Sequence, residues 1–266
     1  MPELPEVESV VRRIRPCISG QQIIDCDVRW SRTLGGISEK DFRKFIVGAR
    51  VEHVSRRGKY IIVHLTPEGV IVIHLRMSGD IFINDTFSER DKHLRVALQF
   101  SDGTRLRFID ARKFGRCLYL PDPNQLLNRL GPEPIDPDLD LTALHQRMQR
   151  IRRPIKSVLL DQQIIAGLGN IYAIESLWRA KVHPVTPASD LSQKTLQNLM
   201  LHAAQVLQEA IEHQGTDLGD GVWKMGGFTP SVYGRAGLPC LRCGTKIKHM
   251  RLAQRGTDYC PRCQRS

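Results

Sequence analysis

Four cysteines near the end of the chain form the most specific chemical pattern in the sequence. Sixteen residues separate one close pair from the next, and the four are Cys240, Cys243, Cys260 and Cys263. This spacing is typical of a zinc ribbon, in which four thiolates bind one Zn²⁺ ion. Because four thiolates fill a tetrahedral shell and leave no position for water, we predict a structural zinc.

The N-terminus offers a second kind of chemistry. Once Met1 is removed, Pro2 carries a free secondary amine on a rigid ring. An α-amino group has a reference pKa of about 7.7 to 8.0, against about 10.4 for lysine, so much more of it is neutral at pH 7. Such an amine can attack a sugar C1′ carbon and form an iminium. Glu3 and Glu6, one helical turn apart, supply carboxylates for proton transfer. An ordinary helix start is the alternative interpretation.

Basic residues are in excess. The chain has 39 Lys and Arg against 28 Asp and Glu, and residues 235–266 hold eight basic residues and one acid, Asp258. This balance favours a polyanionic partner such as nucleic acid. A zinc-held hairpin could bring Arg251 or Arg255 to a phosphate, whereas a solvated basic tail is the alternative.

A glycine-containing stretch indicates a further anion site. Asn170 follows Gly167 and Gly169 at the start of a predicted helix, where backbone N–H groups and the helix dipole favour a phosphate. A plain N-cap is the alternative for Asn170, and a solvated helix face is the alternative for the basic residues just upstream. These are Arg150, Arg152, Arg153 and Lys156.

Hydrophobic periodicity predicts the elements that carry these residues. Apolar residues at helical spacing predict a helix over 5–14 that Pro16 ends. Short β runs between Ile23 and Leu120 predict a sandwich or barrel, with strands over 60–65, 70–75, 96–100 and 105–109. A proline-rich segment, 131–138, predicts a linker, and helices are predicted over 154–163, 171–181 and 192–214.

No apolar run approaches the roughly 20 residues needed to span a bilayer, and the acidic start is unlike a signal peptide. Three scattered cysteines beside one tight tetrad do not suggest a disulfide framework. We therefore expect a monomer in a reducing cytoplasm that makes no membrane contact.

The start Met1-Pro-Glu-Leu-Pro-Glu-Val-Glu8, the cysteine tetrad and Gly167-Leu-Gly-Asn-Ile-Tyr172 together closely resemble formamidopyrimidine-DNA glycosylases. The resemblance covers nearly the whole chain. It implies a multidomain α+β fold with a β-sandwich and N-terminal helix, a helix-two-turn-helix domain and a zinc ribbon, with double-stranded DNA containing oxidised bases or abasic sites as the partner. The predicted limits are 1–130 for the sandwich, 131–140 for the linker, 141–234 for the helical domain and 235–266 for the finger.

The resemblance also implies residue roles. Pro2 would be the Schiff-base nucleophile, Glu3 the acid that opens the sugar ring, and Glu6 their support. Lys59 matches the catalytic lysine of the family. Residues that match the family's phosphate-gripping positions are His74, Lys156, Asn170 and Arg255. Pinning the phosphates around an extruded nucleotide requires side chains of these kinds.

Three further residues match the wedge that fills the void left by an extruded base. Met77 and Phe114 would insert into the stack, and Arg112 would face the orphaned cytosine. This trio favours the branch that acts on purine lesions. One segment departs from the family pattern, because 217–232 is shorter than the usual loop over an extruded 8-oxoguanine. We therefore expect formamidopyrimidines and abasic sites to be better substrates than 8-oxoguanine.

Two other functions stay open on the sequence alone. An endonuclease VIII-like enzyme for oxidised pyrimidines would use the same amine chemistry, although the wedge trio argues against it. A non-catalytic zinc-ribbon protein that binds damaged DNA would explain the charge and the finger but not Pro2, Glu3 and Lys59 together.

Overall fold

The computed structural model describes residues 1–84, 92–217 and 226–265. They form two compact units, Met1–Asn128 and Arg129–Thr216 together with the described residues from Gly227 onwards. Among the described residues, no helix is long and apolar enough to cross a membrane.

The described part of the first unit contains two four-stranded sheets, in which all strand pairs are antiparallel. One sheet has the order β1-β6-β7-β5 and the other β2-β3-β4-β8. The strands are β1 (Ile23–Val28), β2 (Arg50–Arg57), β3 (Tyr60–Thr66), β4 (Val70–His74), β5 (Gly79–Ile83), β6 (Leu94–Phe100), β7 (Arg105–Asp110) and β8 (Arg116–Leu120). The helices are α1 (Leu4–Ile18), α2 (Glu39–Ile46) and α3 (Asn124–Leu127).

One apolar core lies between the two sheets. Alternate residues of β2, β3 and β4 meet those of β1, β6 and β7, as the two-residue period of a half-buried strand requires. The apolar face of α1 joins the same core. The predicted β-sandwich with an N-terminal helix is confirmed, and the predicted strands lie within two residues of the observed ones.

Helix α1 continues past Pro16, so the prediction that this proline ends the helix was wrong. Proline has no N–H for the Arg12 carbonyl, but one further turn buries Ile18 completely in the core. The burial of that side chain compensates for the missing hydrogen bond.

The strand-rich region also contains a helix, α2, that the β pattern did not predict. Ser38 caps it by accepting the Asp41 N–H at 3.0 Å, and Phe42 and Ile46 enter the core. A Ser followed three residues later by an acid is a helix-start signal in the sequence.

The second unit is helical, with a two-stranded hairpin near its end. It contains α4 (Leu141–Met148), α5 (Ile155–Leu159), α6 (Asn170–Arg179), α7 (Gln193–Glu212), β9 (Lys248–Leu252) and β10 (Arg255–Tyr259). The helix predicted over 154–163 is shorter because the Asp161 carboxylate accepts the Gln163 N–H and forms a turn instead. The predicted domain limits stay a prediction.

Candidate active site and zinc centre

Residues 2–6 form a buried turn that begins α1, which we call the catalytic turn. Glu3 is the N-cap, and its side chain accepts the Glu6 N–H while the Glu6 carboxylate accepts the Glu3 N–H at 2.7 Å. This reciprocal capping box satisfies two N–H groups that the helix itself leaves unpaired. Glu3 and Glu6 are 2 % and 0 % exposed, so both carboxylates, within four residues of Pro2 in the chain, have little contact with bulk water.

Helix α1 is fixed to both sheets of the sandwich. The Arg13 guanidinium lies 2.8 Å from the Asp80 carboxylate on β5 and donates to the Ile81 carbonyl. On the other sheet, the Arg15 guanidinium donates to the Val54 carbonyl at 2.8 Å. These contacts and the buried apolar face of α1 set the position of the catalytic turn within this unit.

Lys59 directly precedes β3 and His74 ends β4, and these two strands are neighbours in the second sheet. Lys59 is buried in the turn between β2 and β3, and His74 is the last residue of β4. Tyr60 is the register partner of His74, and their rings meet edge to face with centroids 4.7 Å apart. Burial, followed by the positive charges of Arg76 and Lys59, lowers the pKa of His74 to about 3.

His74 is therefore neutral at pH 7, and its two ring nitrogens have different roles. Nδ1 lies 3.0 Å from the Arg76 N–H and accepts it. The neutral ring then carries its proton on Nε2, which makes Nε2 a donor. A donor without a formal charge suits a hydrogen bond to a phosphate oxygen.

The proposed wedge residues are exposed, in contrast to the catalytic turn. Met77 lies in the turn between β4 and β5 and is 40 % exposed, and Phe114 lies in the loop between β7 and β8 and is 50 % exposed. The Arg112 guanidinium carbon stands 5.2 Å from the centre of the Phe114 ring. The exposure of Met77 and Phe114 leaves both apolar side chains accessible to a partner.

In the second unit, three predicted phosphate-gripping residues meet at the hairpin, and we call Lys156, Asn170 and Arg255 the hairpin site. Lys156 is almost fully buried, and its ammonium donates to the Gly256 carbonyl at 3.1 Å and to the Thr257 hydroxyl at 2.7 Å. The Asn170 amide also donates to the Gly256 carbonyl, at 3.2 Å. Arg255, directly before Gly256, is exposed. Buried Lys156 and half-buried Asn170 therefore hold the strand that presents Arg255.

Asn170 is the first residue of α6, and Gly169 is its N-cap. The upstream arginines at 150, 152 and 153 are exposed, and Arg153 pairs with Asp161 at 3.0 Å. The hairpin turn at Ala253 and Gln254 has two positive φ angles, 47° and 60°. A turn of this kind matches the twist of the two strands but is unfavourable for residues with side chains.

The sulfur atoms of Cys240, Cys243, Cys260 and Cys263 all lie within 4.8 Å of one another. Four thiolates about 2.3 Å from one zinc ion stand at such distances in a tetrahedron. Cys240 and Cys260 are buried, and the Trp178 indole N–H donates to the Cys240 sulfur at 3.4 Å. The donor set and its spacing fit a closed zinc site.

Sequence reasoning missed Glu175, a fully buried carboxylate in the middle of α6. It accepts the backbone N–H groups of Ser231, Val232 and Tyr233 at 2.8 to 2.9 Å, which ties the chain before the finger to α6. Burial raises the pKa of Glu175, and the three N–H groups offset only part of that rise. An acid within an otherwise apolar helix was the available sequence signal.

Three family models match the chain. They are the formamidopyrimidine-DNA glycosylase N-terminal domain over residues 1–117, the H2TH domain of the same family over 130–220, and the zinc finger found in FPG and IleRS over 237–265. A sandwich, an H2TH domain and a four-cysteine finger in this order define a class of DNA repair glycosylases.

Relatives that match nearly the whole chain are named formamidopyrimidine-DNA glycosylase. The formamidopyrimidine-DNA glycosylase of Exiguobacterium sp. is 42 % identical over 277 residues and covers 99 % of each chain. That of Chloroflexus aurantiacus is 42 % identical over 273 residues, covering 99 % of this chain and 98 % of its own. The solved Lactococcus lactis enzyme, bound to DNA containing N7-benzyl-Fapy-dG, superposes with a TM-score of 0.92 at 33 % identity and full coverage of both chains.

The chain belongs to the formamidopyrimidine-DNA glycosylase family. It is a bifunctional DNA glycosylase and abasic-site lyase of base excision repair that acts on oxidised purines, and its four-cysteine finger holds one structural zinc. The predicted fold class, enzyme class and cofactor are thereby confirmed.

Proposed function

We propose that this enzyme removes oxidised purines through a Schiff base on Pro2 and cleaves the strand by β,δ-elimination. The observation that carries the proposal is the catalytic turn, where two buried carboxylates follow within four residues of Pro2, whose nitrogen becomes the N-terminal amine. A turn built only to start a helix would not require both acids of the capping box to be shielded from water.

The chemistry begins when Met1 is removed. The Pro2 lone pair forms a bond to C1′ of the lesion sugar while the bond from C1′ to the base breaks, and the proton that the Pro2 nitrogen loses balances the proton that the leaving base takes up. Glu3 gives a proton to O4′ as the C1′–O4′ bond breaks, which leaves an iminium on the opened sugar. Loss of a C2′ proton then expels the 3′ phosphate, and loss of a C4′ proton expels the 5′ phosphate.

DNA must be bent and held while the lesion is out of the stack. We assign Lys59, neutral His74 and Arg255, which the rest of the hairpin site supports, to the phosphates around the extruded nucleotide. Met77 and Phe114 fill the void and Arg112 faces the orphaned cytosine, a role supported by their exposure and by the contact of Arg112 with the Phe114 ring.

The lesion preference is a further part of the proposal. Half of the short segment 217–232 lies outside the described residues, namely 218–225. Solved relatives hold DNA containing Fapy-dG, an abasic site or carbocyclic 8-oxo-G. Because 8-oxoguanine differs little from guanine, its recognition needs a closed set of contacts, whereas distorted lesions cost less to extrude.

We therefore expect faster single-turnover excision of formamidopyrimidine than of 8-oxoguanine, each opposite cytosine. A chimera with the longer segment of a relative should gain 8-oxoguanine activity. Equal rates on both lesions, with no gain in the chimera, would show that the short segment is a neutral variation.

Borohydride trapping tests the central proposal. Protein lacking Met1, verified by mass spectrometry, should form a covalent complex with lesion DNA, whereas protein with an N-terminal extension that blocks Pro2 should form none. The matched control is Pro5→Ala, which changes a proline of the same turn without touching the amine. Normal trapping by the blocked protein would exclude Pro2 as the nucleophile.

A further inference from the structure

The loops that carry the wedge residues lie side by side in the first unit. Residues 75–78 lead into β5, and residues 111–115 follow β7. β5 and β7 are paired, with Gly79 opposite Asp110, so both loops leave the same end of this strand pair. Met77 belongs to the first loop, and Arg112 and Phe114 belong to the second.

One buried carboxylate joins the two loops. Asp110 is 1 % exposed, and its Oδ1 accepts the Ser78 hydroxyl at 2.5 Å and the Arg112 N–H at 3.2 Å. Its Oδ2 accepts the Gly115 N–H at 2.7 Å. The Ser78 hydroxyl oxygen also accepts the Arg112 N–H, at 3.1 Å. Hydrogen bonds to a charged, buried acceptor are among the stronger ones in proteins.

Both loops also press on one aromatic ring beneath them. A Cβ atom on Gly79 would stand 2.9 Å from the Phe108 ring, and one on Gly115 would stand 2.4 Å from it. Phe108 is fully buried in the sandwich core. Glycine is therefore required where each loop crosses the ring, and the core fixes the height of both loops.

Two of the three wedge residues, Met77 and Phe114, follow a residue with an unfavourable backbone. Arg76 precedes Met77 with φ 56°, and Lys113 precedes Phe114 with φ 61°. The left-handed region is costly for residues with side chains and persists only where the surroundings impose it. Here the Arg76 N–H donates to His74, and the Lys113 ammonium stands 4.2 Å from the Trp30 ring centre.

We propose that Asp110 is the positioning residue of the wedge, holding both loops so that Met77, Arg112 and Phe114 enter the DNA as one rigid unit. The inference depends on the wedge role assigned under the proposed function. Its physical basis is that exposed side chains on two separate loops would otherwise move independently. An error of about 1 Å in the placement of groups that orient a substrate can reduce a rate by about 100-fold.

Two variants test the role of the carboxylate. Asp110→Asn keeps the shape of the side chain but replaces one accepting oxygen with an NH₂ group, which faces a hydrogen-bond donor of the loops and cannot accept from it. Ser78→Ala removes only the hydroxyl that links the two loops. The matched control is Asp102→Asn, because Asp102 accepts the N–H and hydroxyl of Thr104 in the turn at the other end of β7. Thermal unfolding verifies that each variant is folded, and Ser78→Ala serves alone should Asp110→Asn fail to fold.

Two rates are measured. A fluorescent base next to the lesion reports base extrusion, and single-turnover assays give the rate of strand cleavage. On a lesion duplex, we expect both variants to slow base extrusion and strand cleavage. The decrease should be about 10-fold or more for Asp110→Asn. On an abasic duplex, where no base has to be extruded, cleavage should stay within about 2-fold of wild type. Equal losses on both substrates would indicate general structural damage and overturn the proposal.

Phe114→Ala separates this inference from the wedge assignment. If Phe114→Ala is defective only on the lesion duplex and the double variant with Asp110→Asn is no slower than the worse single variant, the two residues act as one unit. Additive losses would overturn the positioning role and leave the wedge intact. No defect in Phe114→Ala would overturn the wedge assignment itself, and the inference with it.

Discussion

The catalytic turn and the hairpin site are assembled in opposite ways. The catalytic turn consists of consecutive residues, and its reciprocal hydrogen bonds join positions 3 and 6. The hairpin site joins Lys156 to Gly256 and Thr257 across about a hundred residues, next to a zinc centre. The proposed reacting groups are thus fixed by local geometry, whereas the proposed DNA grip depends on tertiary structure and on the metal.

The largest expected effect is on chemistry without any loss of the fold. Glu3→Gln should lower single-turnover excision by about 10² to 10⁴-fold, because proton transfer is worth that much. The Gln oxygen can still accept the Glu6 N–H, so the cap and the affinity for lesion DNA should be unchanged.

Quenched-flow excision and fluorescence anisotropy measure the two quantities. Glu39→Gln, at the first turn of α2, is the control. A parallel loss of affinity and rate in Glu3→Gln would contradict the local character of the catalytic turn.

Loss of zinc should lower the affinity for DNA, in contrast to Glu3→Gln, which should lower the rate of excision. Cys243→Ser or chelation should lower DNA affinity by at least about 100-fold, because a small finger depends on the metal for its folding energy. The sandwich should still unfold cooperatively on heating, since its core contains no residue of the finger.

Cys17→Ser is the matched control, because this half-buried thiol lies outside the tetrad. Fluorescence anisotropy measures the DNA affinity, and circular dichroism measures the thermal unfolding of the sandwich. Normal affinity in zinc-free protein would remove the finger from the DNA interface.

A smaller effect is expected at the exposed end of the hairpin site. Arg255→Ala should weaken binding by about 10-fold and reduce the slope of log K against log salt by about 0.9, the value for one phosphate. Arg265→Ala, an exposed arginine near the end of the chain, serves as the control. An unchanged slope would place Arg255 away from the phosphates.

The smallest effect concerns stability and pH. Burial holds the pKa of His74 near 3 in the folded protein, whereas the pKa of an unfolded histidine is about 6.5. Between about pH 3 and pH 6.5, therefore, the imidazole of His74 is protonated in the unfolded chain but not in the folded one. Stability should therefore fall as the pH drops below about 6.5, by about 1.4 kcal/mol per pH unit at this site.

Urea unfolding at pH 7 and pH 5 measures this loss. Between pH 7 and pH 5, the free energy of unfolding of His74→Gln should fall by about 2 kcal/mol less than that of wild type. The free energy of unfolding of His213→Gln, a variant at an exposed histidine, should fall as much as that of wild type. An identical loss in His74→Gln would show that the ring is not kept neutral by the fold.

Local signals in the sequence predicted much of the fold. Alternating apolar residues gave the strands of the sandwich, and helical spacing gave α1, α6 and α7. The failures have physical causes. Burial of Ile18 carried α1 past Pro16, and the Asp161 side chain ended α5 early. Both depend on contacts that a periodic pattern does not contain.

The sequence by itself determined which groups of the proposed chemistry stand close together through covalent spacing. The amine of Pro2, the acids one turn apart and the paired cysteines follow from the order of residues, because chain geometry keeps near neighbours together. Only the tertiary structure decided that buried Lys156 supports the strand presenting Arg255 and that Asp110 joins both wedge loops. Those roles arise from residues that are distant in sequence and meet only when the core packs, so no local pattern encodes them.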